Sequence, residues 1–119
     1  MRFLVLLSGE GHFDRWAASS DAERQEFLDR LRAFREAVSQ RGTVLREEPL
    51  EHPSTRRRLT GPVGGERVVT AGPYAESVEQ LNGAYLVELP DLATALELAG
   101  LLPTPVVDVL PVLALTEQS

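Results

Sequence analysis

The sequence has no cysteine among its 119 residues. This absence excludes a disulfide framework, a thiol nucleophile and a zinc site built from cysteine ligands. A chain without cysteine is compatible with the reducing cytoplasm, where structural disulfides are rare.

Long apolar runs are also missing. The apolar run at the N-terminus covers only Phe3 to Leu7, and no small-residue cleavage site of a signal peptide follows it. No window approaches the roughly 18 apolar residues that a membrane-spanning helix needs. We therefore expect a cytoplasmic protein that does not contact a membrane.

Positive charge is scarce, because 18 acidic residues outweigh 12 basic ones and give a net charge of −6. This balance opposes general nucleic-acid binding, which needs a basic face to displace counterions from phosphates. The one basic run, Arg56 to Arg58, is short and lies between Pro53 and Gly61. It indicates a solvated hairpin or loop, with a local anion site as the alternative.

The composition is that of one ordinary globular domain. Hydrophobic residues make up 43% of the chain and charged residues 25%, enough to build a core without the signature of disorder. We place a single domain at residues 1–112 and a tail at 113–119.

The first half of the chain predicts a strand, a loop, a helix and a second strand. Residues 2–7 are typical of a strand buried on both faces, and "SGEGHFDRW" predicts a loop because glycine breaks helices. Ser20 and Glu23 form a capping box before a helix at 21–41, and Gly42 predicts a left-handed stop. A second strand is predicted at 43–50, and Pro49 and Pro53 indicate that it ends early or lies at a sheet edge. The apolar stripe of the helix comprises Phe27, Leu28, Leu31, Phe34 and Val38.

The second half predicts a hairpin, a strand, a helix and a last strand. Residues 59–60 and 67–70 flank "GPVGGE", which indicates the hairpin. A turn at Gly72-Pro73 and a short helical turn at 75–80 precede a strand at 84–89. Asp91 is the expected N-cap of the next helix, and residues 106–110 form the last strand. The buried stripe of that helix is predicted to be Leu92, Ala95, Leu96 and Ala99.

This order of elements predicts an α+β fold, a ferredoxin-like βαβ-type sandwich with an inserted hairpin. Both helices would cover one face of an antiparallel sheet. The other face needs its own cover, because the strands are apolar enough to bury both sides. A homodimer that stacks two sheets face to face, a dimeric α/β barrel, would supply that cover.

The stretch from Thr70 to Asp91 resembles the YCII-related family in its DGPF branch. Residues 71–76, Ala-Gly-Pro-Tyr-Ala-Glu, are similar to the Asp-Gly-Pro-Phe-Ala-Glu signature of that branch, and an acidic turn and a glycine-containing strand follow. The resemblance extends over residues 1–112. Ala71 stands in place of the aspartate and Tyr74 in place of the phenylalanine, which removes any chemistry assigned to that carboxylate.

The resemblance implies a ferredoxin-like fold and a dimeric α/β barrel, but no particular reaction. Other YCII relatives are thought to use a His/Asp pair whose histidine lies early in the first helix. The predicted helix at 21–41 contains no histidine, so the resemblance alone does not assign the pair here.

His12 and Asp14 are the candidate catalytic residues. They lie in the predicted loop after the first strand, where a carboxylate beside an imidazole can fix the tautomer of a general base. Trp16 is a candidate apolar wall of the same site. An exposed loop histidine without a catalytic role is the alternative.

The family motif and its surroundings supply the other candidate ligand-binding residues, which are Gly72, Pro73, Tyr74, Glu76 and Tyr85. For Glu76 the alternative is helix-start electrostatics, for the Gly-Pro pair a structural turn, and for the tyrosines core packing. His52 lies near Glu47, Glu48 and Glu51, but the spacing matches no standard metal-ligand pattern. We predict no metal site and no cofactor.

Two hypotheses for the function follow. In the first, the protein binds a small molecule in a cleft of a homodimer, with or without enzymatic activity. In the second, it is a non-catalytic regulatory or protein-interaction module. The missing motif aspartate favours the second, and the resemblance adds that genes of DGPF-type proteins often neighbour sigma-factor genes, which suggests a stress context.

Overall fold

The computed structural model describes residues 1–71 and 81–114. These residues form three α-helices and six strands, with a short 3₁₀ helix at Pro53–Thr55. In chain order the elements are β1 (Arg2–Ser8), α1 (His12–Ala18), α2 (Asp21–Arg41), β2 (Thr43–Pro49), β3 (Arg57–Thr60), β4 (Val68–Ala71), β5 (Leu81–Glu88), α3 (Leu92–Ala99) and β6 (Val106–Pro111).

Four strands form an antiparallel sheet in the order β2-β5-β1-β6, and β3 and β4 form a separate two-stranded hairpin. Each crossover through a helix, from β1 to β2 and from β5 to β6, passes over one intervening strand. This architecture is α+β and compatible with a ferredoxin-like fold, as predicted. β2 lies at an edge of the sheet, which confirms the position inferred from Pro49.

The sheet is covered by helices on one face. Phe3, Val5 and Leu7 of β1 are buried, and α2 and α3 pack over them, whereas the alternating residues Leu4 and Leu6 are only half-buried. The prediction that β1 is buried on both faces is therefore wrong for the single chain. Antiparallel partners share a face, so the same alternation divides β5 and β6 into covered and open positions.

Helix α2 has the predicted ends and start signal. The Ser20 side chain accepts a hydrogen bond from the Glu23 amide at 3.1 Å, and the Glu23 carboxylate accepts one from the Ser20 amide at 3.0 Å. This reciprocal capping box satisfies two amides that the helix leaves free. Only the C-terminal part of the predicted stripe, Phe34 and Val38, is fully buried.

Helix α1 replaces the predicted loop over residues 12–18. Its N-cap is Gly11, whose φ of 69° is the left-handed conformation that glycine adopts without steric cost. The two glycines therefore precede the helix and do not interrupt it. At the other end, Arg24 of α2 donates hydrogen bonds to the Trp16 carbonyl at 3.1 and 2.9 Å, and its guanidinium lies 5.4 Å from the Trp16 ring centroid.

Gly42 ends α2, but not by the predicted left-handed turn. Its φ is −175° and its ψ −138°, which is extended backbone. A Cβ at this position would lie 1.9 Å from the carbonyl oxygen of Glu88 in β5. Glycine is needed here because the chain enters β2 in close contact with the neighbouring strand.

Helix α3 begins at the predicted N-cap, since the Asp91 side chain accepts a hydrogen bond from the Thr94 amide at 2.8 Å. Its buried positions differ in part from the prediction. Ala95 and Ala99 are buried, but Leu92 and Leu96 are exposed, and the core positions are instead Thr94 and Leu98. The predicted helical turn at 75–80 lies outside the described residues.

We predict that Gly42→Ala lowers the free energy of unfolding by about 2 kcal/mol or more, because the added methyl group meets a strand backbone that cannot rotate away. Urea denaturation measures the change. The exposed neighbour Gln40→Ala serves as control and is expected to change stability by less than about 0.5 kcal/mol. A Gly42→Ala variant as stable as this control would contradict the packing described here.

Candidate functional site

A cavity of about 290 Å³ lies on the helix-covered side of the sheet, between α1, α2, β2 and β5. Each of these elements contributes lining residues, and most of the lining is apolar. The described lining comprises His12, Phe13, Trp16, Phe27, Leu28, Leu31, Glu47, Glu48, Pro49, Leu50, Asn82, Gly83, Ala84 and Tyr85. This cavity is where residues distant in sequence come together.

Aromatic rings build the wall of the cavity on the α1 side. The His12 ring lies 5.5 Å from Phe27 and 6.4 Å from Trp16 between centroids, and the His12 and Trp16 planes are within 25° of parallel. Trp16 and Phe27 meet edge to face at 5.3 Å. Such ring pairs add specific geometry to apolar packing, so the wall holds His12 in a fixed orientation.

His12 is half-buried at the first turn of α1, and its amide donates a hydrogen bond to the Gly9 carbonyl at 3.1 Å. Burial lowers the pKa of the imidazole below its ordinary value, and the positive charge of Arg15 lowers it further. His12 is therefore a neutral imidazole at pH 7. It also lines a wider and more polar groove, about 750 Å³, shared with Glu10, Arg15 and Glu23.

Helix α2 and strands β2 and β5 contribute a hydrogen-bonded group of three side chains, Arg35, Glu47 and Tyr85. The Tyr85 hydroxyl donates to Oε1 of Glu47 at 2.9 Å, and the Arg35 guanidinium donates to the same oxygen at 2.8 Å. The Tyr85 ring is buried against Phe34, with centroids 4.9 Å apart. Burial first, and then the Glu47 carboxylate, raise the pKa of Tyr85, so the phenol stays protonated.

The structure brings together three of the predicted site residues, because His12, Trp16 and Tyr85 all line the cavity. Asp14 is exposed on α1 and does not belong to the lining described above. Two positions along a helix turn the side chain by about 200°, which separates it from His12. Gly72, Pro73, Tyr74 and Glu76 lie outside the described residues.

His52 does not form a metal-ligand cluster with Glu47, Glu48 and Glu51. Its Nδ1 accepts a hydrogen bond from the Ser54 amide at 3.1 Å, which caps the 3₁₀ helix, and its ring lies 5.3 Å from Phe13. Among residues 1–71 and 81–114, no three His, Asp or Glu side chains are grouped as metal ligands. Within the same residues, no helix has the length and apolar character required to cross a membrane.

Sequence reasoning missed Phe27, Glu47 and Gly83 as residues of the site. The helical spacing places Phe27 in the apolar stripe of α2. It does not reveal that the N-terminal part of this stripe lines the cavity and is not fully buried in the core. Glu47 was noted only beside His52. Because Glu47 pairs with Tyr85 across the β2–β5 register, only the pairing of these strands discloses the contact.

We predict that His12 titrates with a midpoint below its ordinary value of 6.5. NMR of the imidazole protons measures it, and His52→Gln assigns the two histidine signals. Arg15→Gln should raise the His12 midpoint only in part, because burial is the larger cause. A midpoint at or above 6.5 would contradict the burial of the ring in the aromatic wall.

The same shift has a consequence for stability. Since the unfolded chain protonates His12 more readily than the folded one, the stability of the protein falls as pH drops through 6.5 toward the folded pKa. His12→Gln should reduce this pH dependence, as measured by urea denaturation at a series of pH values.

Comparison with known protein families gives a match over nearly the whole chain. The sequence model of the family described as YCII-related domain matches residues 1–116. No curated protein matches the chain. Helix α2 contains no histidine, as the sequence indicates, and the shorter α1 that precedes it begins at His12. The family match covers almost the whole chain, and the protein therefore belongs to the YCII-related family.

Proposed function

We propose that the protein binds an uncharged small molecule in the cavity between α1, α2, β2 and β5, with His12 as the group that accepts or donates a proton. The observation that carries this proposal is a half-buried imidazole packed against aromatic rings at the wall of an apolar cavity, and burial lowers its pKa, which favours the neutral form. An apolar cavity with a few convergent polar groups and a perturbed pKa is typical of binding and active sites. The motif at 71–76 supports placing the protein in the DGPF branch.

The cavity limits the size and charge of the ligand. A cavity of about 150 Å³ admits benzene in other proteins, so about 290 Å³ admits a compound of one or two rings. On the covered face, the Glu47 carboxylate already accepts hydrogen bonds from Arg35 and Tyr85, and the described lining contains no arginine. An anion would find no unpaired cation in the described lining, and a neutral compound is therefore favoured.

His12 has access to both sides of the aromatic wall, because it lines the cavity and also the wider polar groove. A neutral imidazole within the cavity can take a proton from a bound molecule as a general base. The groove gives that proton a route to solvent. This arrangement supports proton transfer as the reaction class, with the Glu47–Tyr85 pair as the polar group on the strand side.

Native mass spectrometry of the protein, purified gently from its own host, tests the binding proposal. We expect a releasable mass on the order of 100–250 Da, the size that such a cavity admits. His12→Gln should reduce its occupancy, whereas Asp14→Asn, two residues away on the exposed side of α1, should not. Protein without added mass, or equal occupancy in His12→Gln, would count against the proposal and favour a protein-interaction role.

We also propose that the protein is a homodimer whose open sheet faces stack. The open face carries Leu4 between Leu86 and Leu110 in adjacent strands, and Leu110 is 41% exposed. Charged side chains surround this apolar strip, with Arg2 paired to Glu88 at 3.5 Å and Arg46 paired to Glu48. An apolar centre with a charged rim is the composition of a protein interface.

Leu110→Glu places a carboxylate on the open face, in the edge strand β6 beside Leu4, and should convert the dimer to a monomer, because an unpaired buried charge is costly. Analytical ultracentrifugation measures the change. Leu96→Glu is the matched control, since Leu96 is exposed on α3 on the opposite side of the sheet. A wild-type monomer, or a Leu110→Glu dimer of unchanged stability, would refute the face-to-face assembly.

A further inference from the structure

Gly83 occupies an unusual place for a glycine. It lies in β5, a central strand of the sheet, it is buried, and it lines the cavity. Glycine weakens the interior of a strand, because it has no side chain to pack and loses more conformational freedom than other residues. Its presence there requires a physical reason.

The β1–β5 register shifts between Leu7 and Ser8, beside Gly83, but neither a positive φ nor a clash at its Cβ position requires glycine there. The positive-φ glycines among the described residues are Gly11, Gly61 and Gly64, and Gly83 is not one of them. A Cβ at Gly83 would have, among the described residues, only the carbonyl oxygen of Glu48 within 4 Å, at an ordinary contact distance of 3.8 Å. Gly42 is the opposite case, since its Cβ would overlap a strand carbonyl at 1.9 Å.

The strand register shows where a side chain at this position would point. Gly83 pairs with Leu7 of β1 and lies two residues from Tyr85, and both of these side chains are buried on the helix-covered face. Side chains two apart on a strand share a face. A side chain at Gly83 would therefore enter the cavity, opposite the helices that carry His12 and Phe27.

We propose that Gly83 is a specificity-determining residue, whose missing side chain leaves the space in which a flat ring of the ligand lies against the β5 backbone. This inference rests on the proposed function and narrows the ligand class to neutral planar ring compounds. The aromatic wall favours the same class, because the rings of His12, Trp16 and Phe27 line the cavity and aromatic rings pack well against planar rings.

Two variants of Gly83 test this role, with indole as a neutral planar probe. Gly83→Ala should raise the melting temperature by roughly 2–6 °C, because alanine restricts the unfolded chain and fits the strand. Gly83→Val should weaken indole binding by about tenfold or more, since its methyl groups occupy the cavity. Thermal unfolding and isothermal titration calorimetry measure the two effects, and Gly42→Ala, which should lower the melting temperature, is the contrasting glycine.

Each outcome separates this inference from the proposed function. Gly83→Ala with a lower melting temperature would make the glycine structural and overturn the inference. Gly83→Val that binds indole as tightly as the wild type would overturn it also, while ligand binding itself stands. Wild-type protein that neither binds indole nor carries a co-purified compound would overturn the proposed function, and the role of Gly83 with it.

Discussion

The antiparallel pairing of β1 with β5 determines which side chains face the helices and which face outward. This register places Val5 opposite Tyr85 and Leu7 opposite Gly83 on the covered face, and Leu4 opposite Leu86 on the open one. Because side chains alternate along a strand, a slip of one residue would exchange the two sets. The core, the strand side of the cavity and the open apolar strip all depend on this one alignment.

Helix α2 shows how one amphipathic element serves both the core and the site. Its C-terminal half buries Phe34 and Val38 against the sheet, while Phe27, Leu28 and Leu31 at its N-terminal half line the cavity. α1 lies beside that half and is tied to it by Arg24, which binds the Trp16 carbonyl. The apolar stripe of α2 therefore extends beyond the core, and the aromatic rings of α1 pack against it there.

The sequence predicts correctly the helix starts that are set by short-range hydrogen bonds. It does not predict the helix whose stability depends on tertiary contacts. The capping box at Ser20 and the N-cap at Asp91 located two helix starts, since both are short-range hydrogen bonds. α1 has only seven residues and no side-chain cap, and helices this short gain most of their stability from packing. α1 contacts Phe27 and Arg24 of α2, so no pattern within residues 12–18 themselves predicts this helix. For the same reason no sequence pattern links His12 to Tyr85, and their common cavity follows from the fold.

The ionisable side chains described here on the two sides of the cavity are either paired with each other or favoured in their neutral form. Arg35 is used to hold Glu47, and Glu47 in turn accepts the Tyr85 hydroxyl, so the cation near the strands neutralises a carboxylate and is not presented to a ligand. Burial and Arg15 keep His12 neutral on the other side. A molecule entering between them meets an uncharged imidazole, a protonated phenol and apolar rings. In such surroundings a positive charge on a bound molecule would be poorly solvated, and under the proposed function the neutral His12 accepts that proton at its unprotonated ring nitrogen and leaves the molecule neutral.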